Sequence, residues 1–140
     1  MVARDAGGVL FTSSIASTMP GTYQAVYNAS KSFVQSFAEA LREELKDTGV
    51  TVTALMPGPT DTNFFHRADM DDTRVGASSK DDPAVVAEQG IEALLKGKEK
   101  VVAGSVMTKV QARPARSCRT ARRRRCTPRW RSRARHDAPR

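Results

Sequence analysis

The chain has 140 residues, is 39% hydrophobic and 27% charged, and carries a formal net charge of +8 with two cysteines. That length suits a single domain; no apolar run approaches the roughly 20 residues of a membrane-spanning helix, and the opening MVARDAGGVLFTSS lacks the apolar stretch of a secretory signal. The charge is unevenly spread: residues 1–112 hold 11 Lys and Arg against 14 Asp and Glu, a net −3, whereas residues 113–140 hold 12 Arg against one Asp, a net +11.

Any inference from net charge to nucleic acid therefore applies to the tail alone. Both cysteines, Cys118 and Cys126, also lie in that tail, so a disulfide-stapled secreted domain is not expected. The body reads as soluble and cytoplasmic, with no membrane partner.

Taken in chain order, GGVLFTSS (Gly7–Ser14) is a short apolar run ending in hydroxyls, and it reads as a buried strand. IASTMPGT is a loop with Pro20-Gly21 as its turn signal. In the stretch Thr22–Leu45, apolar residues recur at three- and four-residue spacing: Val26, Ala29, Phe33, Phe37, Leu41 and Leu45. This predicts a helix with one broad apolar face. It is expected to end at KDTG, with Lys46 in the last turn and Gly49 as its C-cap.

VTVTALMPG (Val50–Gly58) is a second buried strand, closed by Pro57-Gly58. Residues 59–82 are polar and irregular, with Phe64, Phe65, Met70 and Val75 as an apolar group. Asp82–Gly97 predicts another helix, with Asp82 as N-cap and Pro83 at the first helical position. KVVAG (Lys100–Gly104) is a third short strand. Buried strands alternating with helices predict an α/β fold: a partial doubly wound, Rossmann-like parallel sheet of three strands with flanking helices. From Arg113 onward there is no Val, Ile, Leu, Met or Phe, so this segment has no core-forming residues and is expected to be disordered.

Tyr27 and Lys31 are four residues apart and share one helix face. A free tyrosine, with a pKa near 10, is a poor acid or base at neutral pH. An ammonium a few ångströms away favours the phenolate, and the pair can then pass a proton. Ser14 lies 13 residues earlier, at a strand end. Ligand sites in open α/β sheets gather at such carboxyl ends. A hydroxyl beside a proton donor there suits the polarising of a carbonyl oxygen.

These residues resemble the short-chain dehydrogenases/reductases. YNASK (Tyr27–Lys31) is similar to that family's Tyr-x-x-x-Lys motif, and Ser14 stands at the usual distance before the tyrosine. PGPTDT (Pro57–Thr62) resembles its Pro-Gly segment, with a threonine four residues past the glycine. The likeness covers about residues 7–104 and the C-terminal half of the fold, so residues 1–112 are expected to be that half and 113–140 a separate tail.

The resemblance implies an NAD- or NADP-dependent oxidoreductase that interconverts a carbonyl and an alcohol on a small molecule. Tyr27 would be the general acid/base. Lys31 would support it and hydrogen-bond the nicotinamide ribose. Ser14 would orient the substrate oxygen. The backbone of Pro57, Gly58 and Thr60 and the hydroxyl of Thr62 would hold the nicotinamide carboxamide. Phe64, Phe65 and Met70 would belong to the segment that closes over substrate. The helix over 23–46 would be the candidate surface for a homo-oligomer, with Phe33, Val34 and Phe37 either core or subunit contact.

There are departures. Ser17 stands where many members have glycine. The family's glycine-rich strand-turn-helix, its Asn-Ala-Gly segment and its catalytic asparagine do not occur before Gly7, so the resemblance implies a truncated oxidoreductase without its cofactor-binding half. His66 is expected to be a surface residue, and no metal site is expected. The tail carries two readings. Twelve arginines and Trp130 would bind nucleic acid non-specifically, the chain then being a non-catalytic remnant. Alternatively, Arg, Ala, Pro and Ser in succession are what a GC-rich gene gives out of frame.

Overall fold

The computed structural model describes residues 1–112. The Arg-rich segment 113–140, expected to be disordered, lies outside the described residues, as do Cys118, Cys126 and Trp130. Three strands, β1 (Gly7–Thr12), β2 (Val50–Pro57) and β3 (Lys100–Ala103), form one sheet in the order β1-β2-β3. All pairings are parallel, with Gly7 opposite Val50 and Leu55 opposite Val101. The helices are α1 (Ala25–Glu44), α2 (Phe64–Arg67), α3 (Pro83–Leu95) and α4 (Val106–Gln111). The expected three-stranded parallel α/β architecture is the one observed.

Alternation along β2 builds the three layers. Val52 and Ala54 pack with Ala38 and Leu41 of α1, joined by Phe11. Leu55 points the other way and packs with Val86 of α3, Ala103 and Leu10. A parallel sheet covered on both faces needs apolar residues on both, which is why VTVTALMP reads as a nearly continuous run. Of its two threonines, Thr53 is fully buried, and its hydroxyl donates to the Lys98 carbonyl at 2.6 Å.

Helix α1 leaves part of its apolar stripe outside the core. Its buried residues are Asn28, Gln35 and Ala38. Val26, Phe33 and Phe37 are 85%, 68% and 46% exposed. At about 100° per residue, Val26, Phe33 and Phe37 lie almost opposite Asn28, Gln35 and Ala38, while Leu41 and Leu45 of the same stripe pack on the core. The reason is polar: the sheet-facing side is held by hydrogen bonds to the sheet. Arg42 donates to the carbonyls of Val52 and Gly97, both at 2.9 Å. The Ser13 hydroxyl donates to the Lys31 carbonyl at 3.0 Å.

The end of α1 also differs. The C-cap is Leu45, not Gly49. Gly49 serves a close approach instead: a Cβ there would lie 2.1 Å from the Asp5 carbonyl oxygen, and its N–H donates to Asp5 Oδ1 at 2.6 Å. The start of α3 is as expected, with the Asp82 side chain accepting from Ala84 N–H and Pro83 in first place. Ile15–Thr18, expected as loop, forms a 3-10 turn. Helix α2 lies within the stretch expected to be irregular, and α4 lies in residues to which the sequence reading assigned no element. Among the described residues no helix is long and apolar enough to cross a membrane.

Candidate functional site

The site lies at the carboxyl ends of β1 and β2. β1 runs into Ser13 and Ser14, both buried. Ser14 caps the 3-10 turn: its Oγ accepts from Ala16 N–H at 3.1 Å. The same hydroxyl donates to the Pro57 carbonyl at 3.4 Å, which ties the ends of the two strands together. No hydrogen bond joins Ser14 to Tyr27.

Tyr27 sits in the first turn of α1 and is half-buried. Its backbone carbonyl accepts from the Ser30 hydroxyl at 2.7 Å. Lys31, one turn on, has its ammonium 5.8 Å from the centre of the Tyr27 ring, within the range of a cation–π contact. That ammonium also donates to the Thr12 carbonyl at 3.2 Å, at the end of β1. The structure thus brings Tyr27 and Lys31 together at the strand end where Ser14 begins the next turn.

The segment after β2 forms the other wall. Gly58 is pressed against Thr108 of α4, where a Cβ would lie 2.6 Å from the threonine methyl. The Thr60 hydroxyl donates to the Gly58 carbonyl at 3.0 Å. Thr62 is exposed, and its Oγ accepts from Phe64 N–H at 3.3 Å, which opens α2. Phe64 then reaches back to the tyrosine, with ring centroids 5.8 Å apart. Phe65, buried, meets Phe64 edge-on at 5.3 Å. The Lys80 ammonium lies 5.1 Å from the centre of the Phe65 ring and donates to the Gly76 carbonyl. His66 and Asp71 form an exposed pair at 2.9 Å.

Asn28 escaped the sequence reading. It is buried, and its Nδ2 donates to the carbonyls of Ala16 at 3.1 Å and Met19 at 2.7 Å. The Ser32 hydroxyl adds a bond to the Ser17 carbonyl at 2.8 Å. Together they fasten the 15–19 turn to the front of α1, beside Tyr27. The one signal available was a polar residue inside the motif, which a helix surface tolerates equally well. Asp81 and Thr108 escaped too. Burial alone would raise the Asp81 pKa, but hydrogen bonds from Thr108 and Ser105 and the charge of Lys109 outweigh it and hold the carboxyl below its ordinary value. Among the described residues, no group of three or more His, Cys, Asp or Glu could hold a metal ion.

Among solved structures, a short chain dehydrogenase from Burkholderia cenocepacia J2315 in complex with NADP is 24% identical with a TM-score of 0.67, over 89% of this chain and 50% of that one. A short-chain dehydrogenase from Sphingobium yanoikuyae in complex with NADPH is 22% identical with a TM-score of 0.66, over 72% and 39%. The closed form of serine dehydrogenase complexed with NADP+ is 27% identical with a TM-score of 0.60, over 72% and 46%. This chain therefore spans half or less of the length of each. No curated protein matches it. The family model described as short chain dehydrogenase matches residues 1–73, more than half of the 140. With that match and a three-stranded parallel sheet shared with such enzymes, the chain belongs to the short chain dehydrogenase family.

Proposed function

We propose that this chain forms part of an NAD(P)-dependent oxidoreductase that interconverts a carbonyl and an alcohol on a small molecule. The observation that carries the reading is the Tyr27–Lys31 pair on one face of α1, with the ammonium 5.8 Å from the tyrosine ring and hydrogen-bonded to the end of β1. Residues 1–112 are read as the later half of such a domain, and 113–140 as a separate Arg-rich segment.

The donor set fits a nicotinamide riboside. An ammonium and a phenol hydroxyl suit a ribose diol. A main-chain turn with the hydroxyls of Thr60 and Thr62 suits a carboxamide, which needs both donors and acceptors. Lys31 would hold the ribose, and Pro57, Gly58, Thr60 and Thr62 the carboxamide. When bound, the cofactor supplies or accepts the hydride.

In reduction, Tyr27 gives its hydroxyl proton to the substrate oxygen; in oxidation, the phenolate takes a proton from the alcohol. The Lys31 ammonium stands 5.8 Å from the centre of that ring. The Ser14 hydroxyl orients the substrate oxygen by turning from the Pro57 carbonyl, a bond at the long limit of 3.4 Å and thus weakly held. Phe64, braced by Phe65, covers one side of the ring. A cytoplasmic location belongs to this reading, as does a homo-oligomer formed through the apolar stripe of α1.

Titration of the full chain with NADH and NADPH, followed by coenzyme fluorescence, tests it. Saturable binding, weakened about tenfold by Lys31→Ala, is the expected result. Absence of saturation by either coenzyme in folded protein overturns the role given to Lys31 and residues 57–62.

A further inference from the structure

Between Thr60 and Asp81 the chain leaves the end of β2 and returns just before α3. The two ends of this excursion meet. Asp81 N–H donates to the Pro59 carbonyl at 2.8 Å, and Asp61 N–H donates to the Asp81 carbonyl at 2.9 Å. Thr60 and Asp81 thereby form a parallel bridge outside the sheet.

The Asp81 side chain reaches in the other direction. Its Oδ1 accepts from Ser105 N–H at 2.9 Å, and its Oδ2 accepts from the Thr108 hydroxyl at 2.7 Å. Thr108 is buried and is the residue against which Gly58 is packed. One aspartate therefore joins the 57–62 segment, the base of the loop that carries Phe64, and the first turn of α4. Within the loop, buried Phe65 braces Phe64, and Phe64 lies on the Tyr27 ring.

We infer that Asp81 is a positioning residue: it holds the 57–62 segment in place and, through the loop it closes, keeps Phe64 over Tyr27. The inference rests on the oxidoreductase reading for its purpose, but its geometry is independent of it. The choice of aspartate follows from the bonds. Two separate donors, one backbone and one hydroxyl, need two acceptor oxygens on a short side chain. Asparagine keeps one acceptor for Ser105 N–H and can still meet Thr108, whose hydroxyl reverses to accept. Alanine keeps neither.

The test is amide hydrogen exchange on the full chain, read by peptide, with coenzyme titration and iodide quenching of Tyr27 in a Tyr23→Phe, Trp130→Phe background. Asp81→Ala is expected to speed exchange at least tenfold in residues 58–65 and 105–109 while residues 50–56 stay protected. Tyr27 quenching at least doubles, and Asp81→Asn restores most of both. Thr108→Val, which keeps the packing against Gly58, loosens the same two peptides to a smaller degree. Exchange that is unchanged in 58–65, or that rises equally through β2, overturns the inference. A parent chain that binds neither coenzyme, yet shows the local loosening, sinks the oxidoreductase reading of this chain and leaves the positioning role of Asp81 standing.

Discussion

The rings of Tyr27 and Phe64 lie 5.8 Å apart between centroids with their planes tilted by 48°. They come from a helix and a loop more than 30 residues apart, so no local pattern joins them. Such pairs contribute about 0.5–1.5 kcal/mol beyond the area they bury. The contact also leaves the tyrosine only partly open at the carboxyl ends of two strands, where a proton donor would need to exclude bulk water without losing access to its substrate.

Tyr27→Phe keeps that ring contact and removes only the hydroxyl. In a steady-state assay of carbonyl reduction by the chain joined to the cofactor-binding half of a family member, the variant is expected to lose at least 100-fold in kcat, the lower range for general acid catalysis, with the melting temperature unchanged. Retention of kcat would remove Tyr27 from the chemistry.

Asp81 gives the fold a particular acid sensitivity. Its folded pKa is held below the ordinary value of 3.8, so it binds fewer protons folded than unfolded near that pH. The stability it contributes is whole above about pH 4 and is lost as pH falls through the lower folded pKa. Urea melts of the parent and Asp81→Asn between about pH 2 and 6 should converge at the acid end and separate above it.

Arg42 is the polar key of α1. Its guanidinium bonds two backbone carbonyls, on β2 and at the turn before β3. Hydrogen bonds to charged groups are worth about 1.5–3 kcal/mol each. Arg42→Ala should therefore lower the unfolding free energy by about 3–6 kcal/mol in denaturant melts. Arg42→Lys recovers less than half, because an ammonium lacks the planar fork.

The exposed stripe on α1 is the face to test for self-association. Val26 and Phe33 are 85% and 68% exposed. A Val26→Lys, Phe33→Lys double variant should shift the sedimentation coefficient to that of a monomer without lowering thermal stability. An unchanged distribution would place any oligomer contact elsewhere.

The Arg-rich segment carries its own expectation from sequence. Binding of the full chain to mixed-sequence DNA should weaken steeply between about 50 and 200 mM salt, as counterion release requires. It should vanish for a chain ending at residue 112, whose net charge is −3.

Much was legible in the residues alone. The alternation of apolar runs with amphipathic stretches determined three strands and the two long helices in their order, because backbone hydrogen bonding leaves few ways to bury such runs. Asp82-Pro83 marked the start of α3, since an N-cap acceptor and a proline that needs no donor act within one turn. The spacing of Tyr27 and Lys31 placed them on one face for the same local reason. What the tertiary structure decided was azimuth and long-range closure. Periodicity says that α1 has an apolar stripe, but Arg42, Asn28 and Lys31 bond to the sheet end and its turn, and with these bonds in place Leu41 and Leu45 face the core while Val26, Phe33 and Phe37 face outward. Gly49 looked like a helix cap and is instead the place where Asp5 approaches the backbone. Asp81 looked like one more acidic loop residue, and only folding brings Ser105 and Thr108 to its carboxylate. Local rules read along the chain, whereas these contacts span 9 to 55 residues and exist only once the sheet has set the distances.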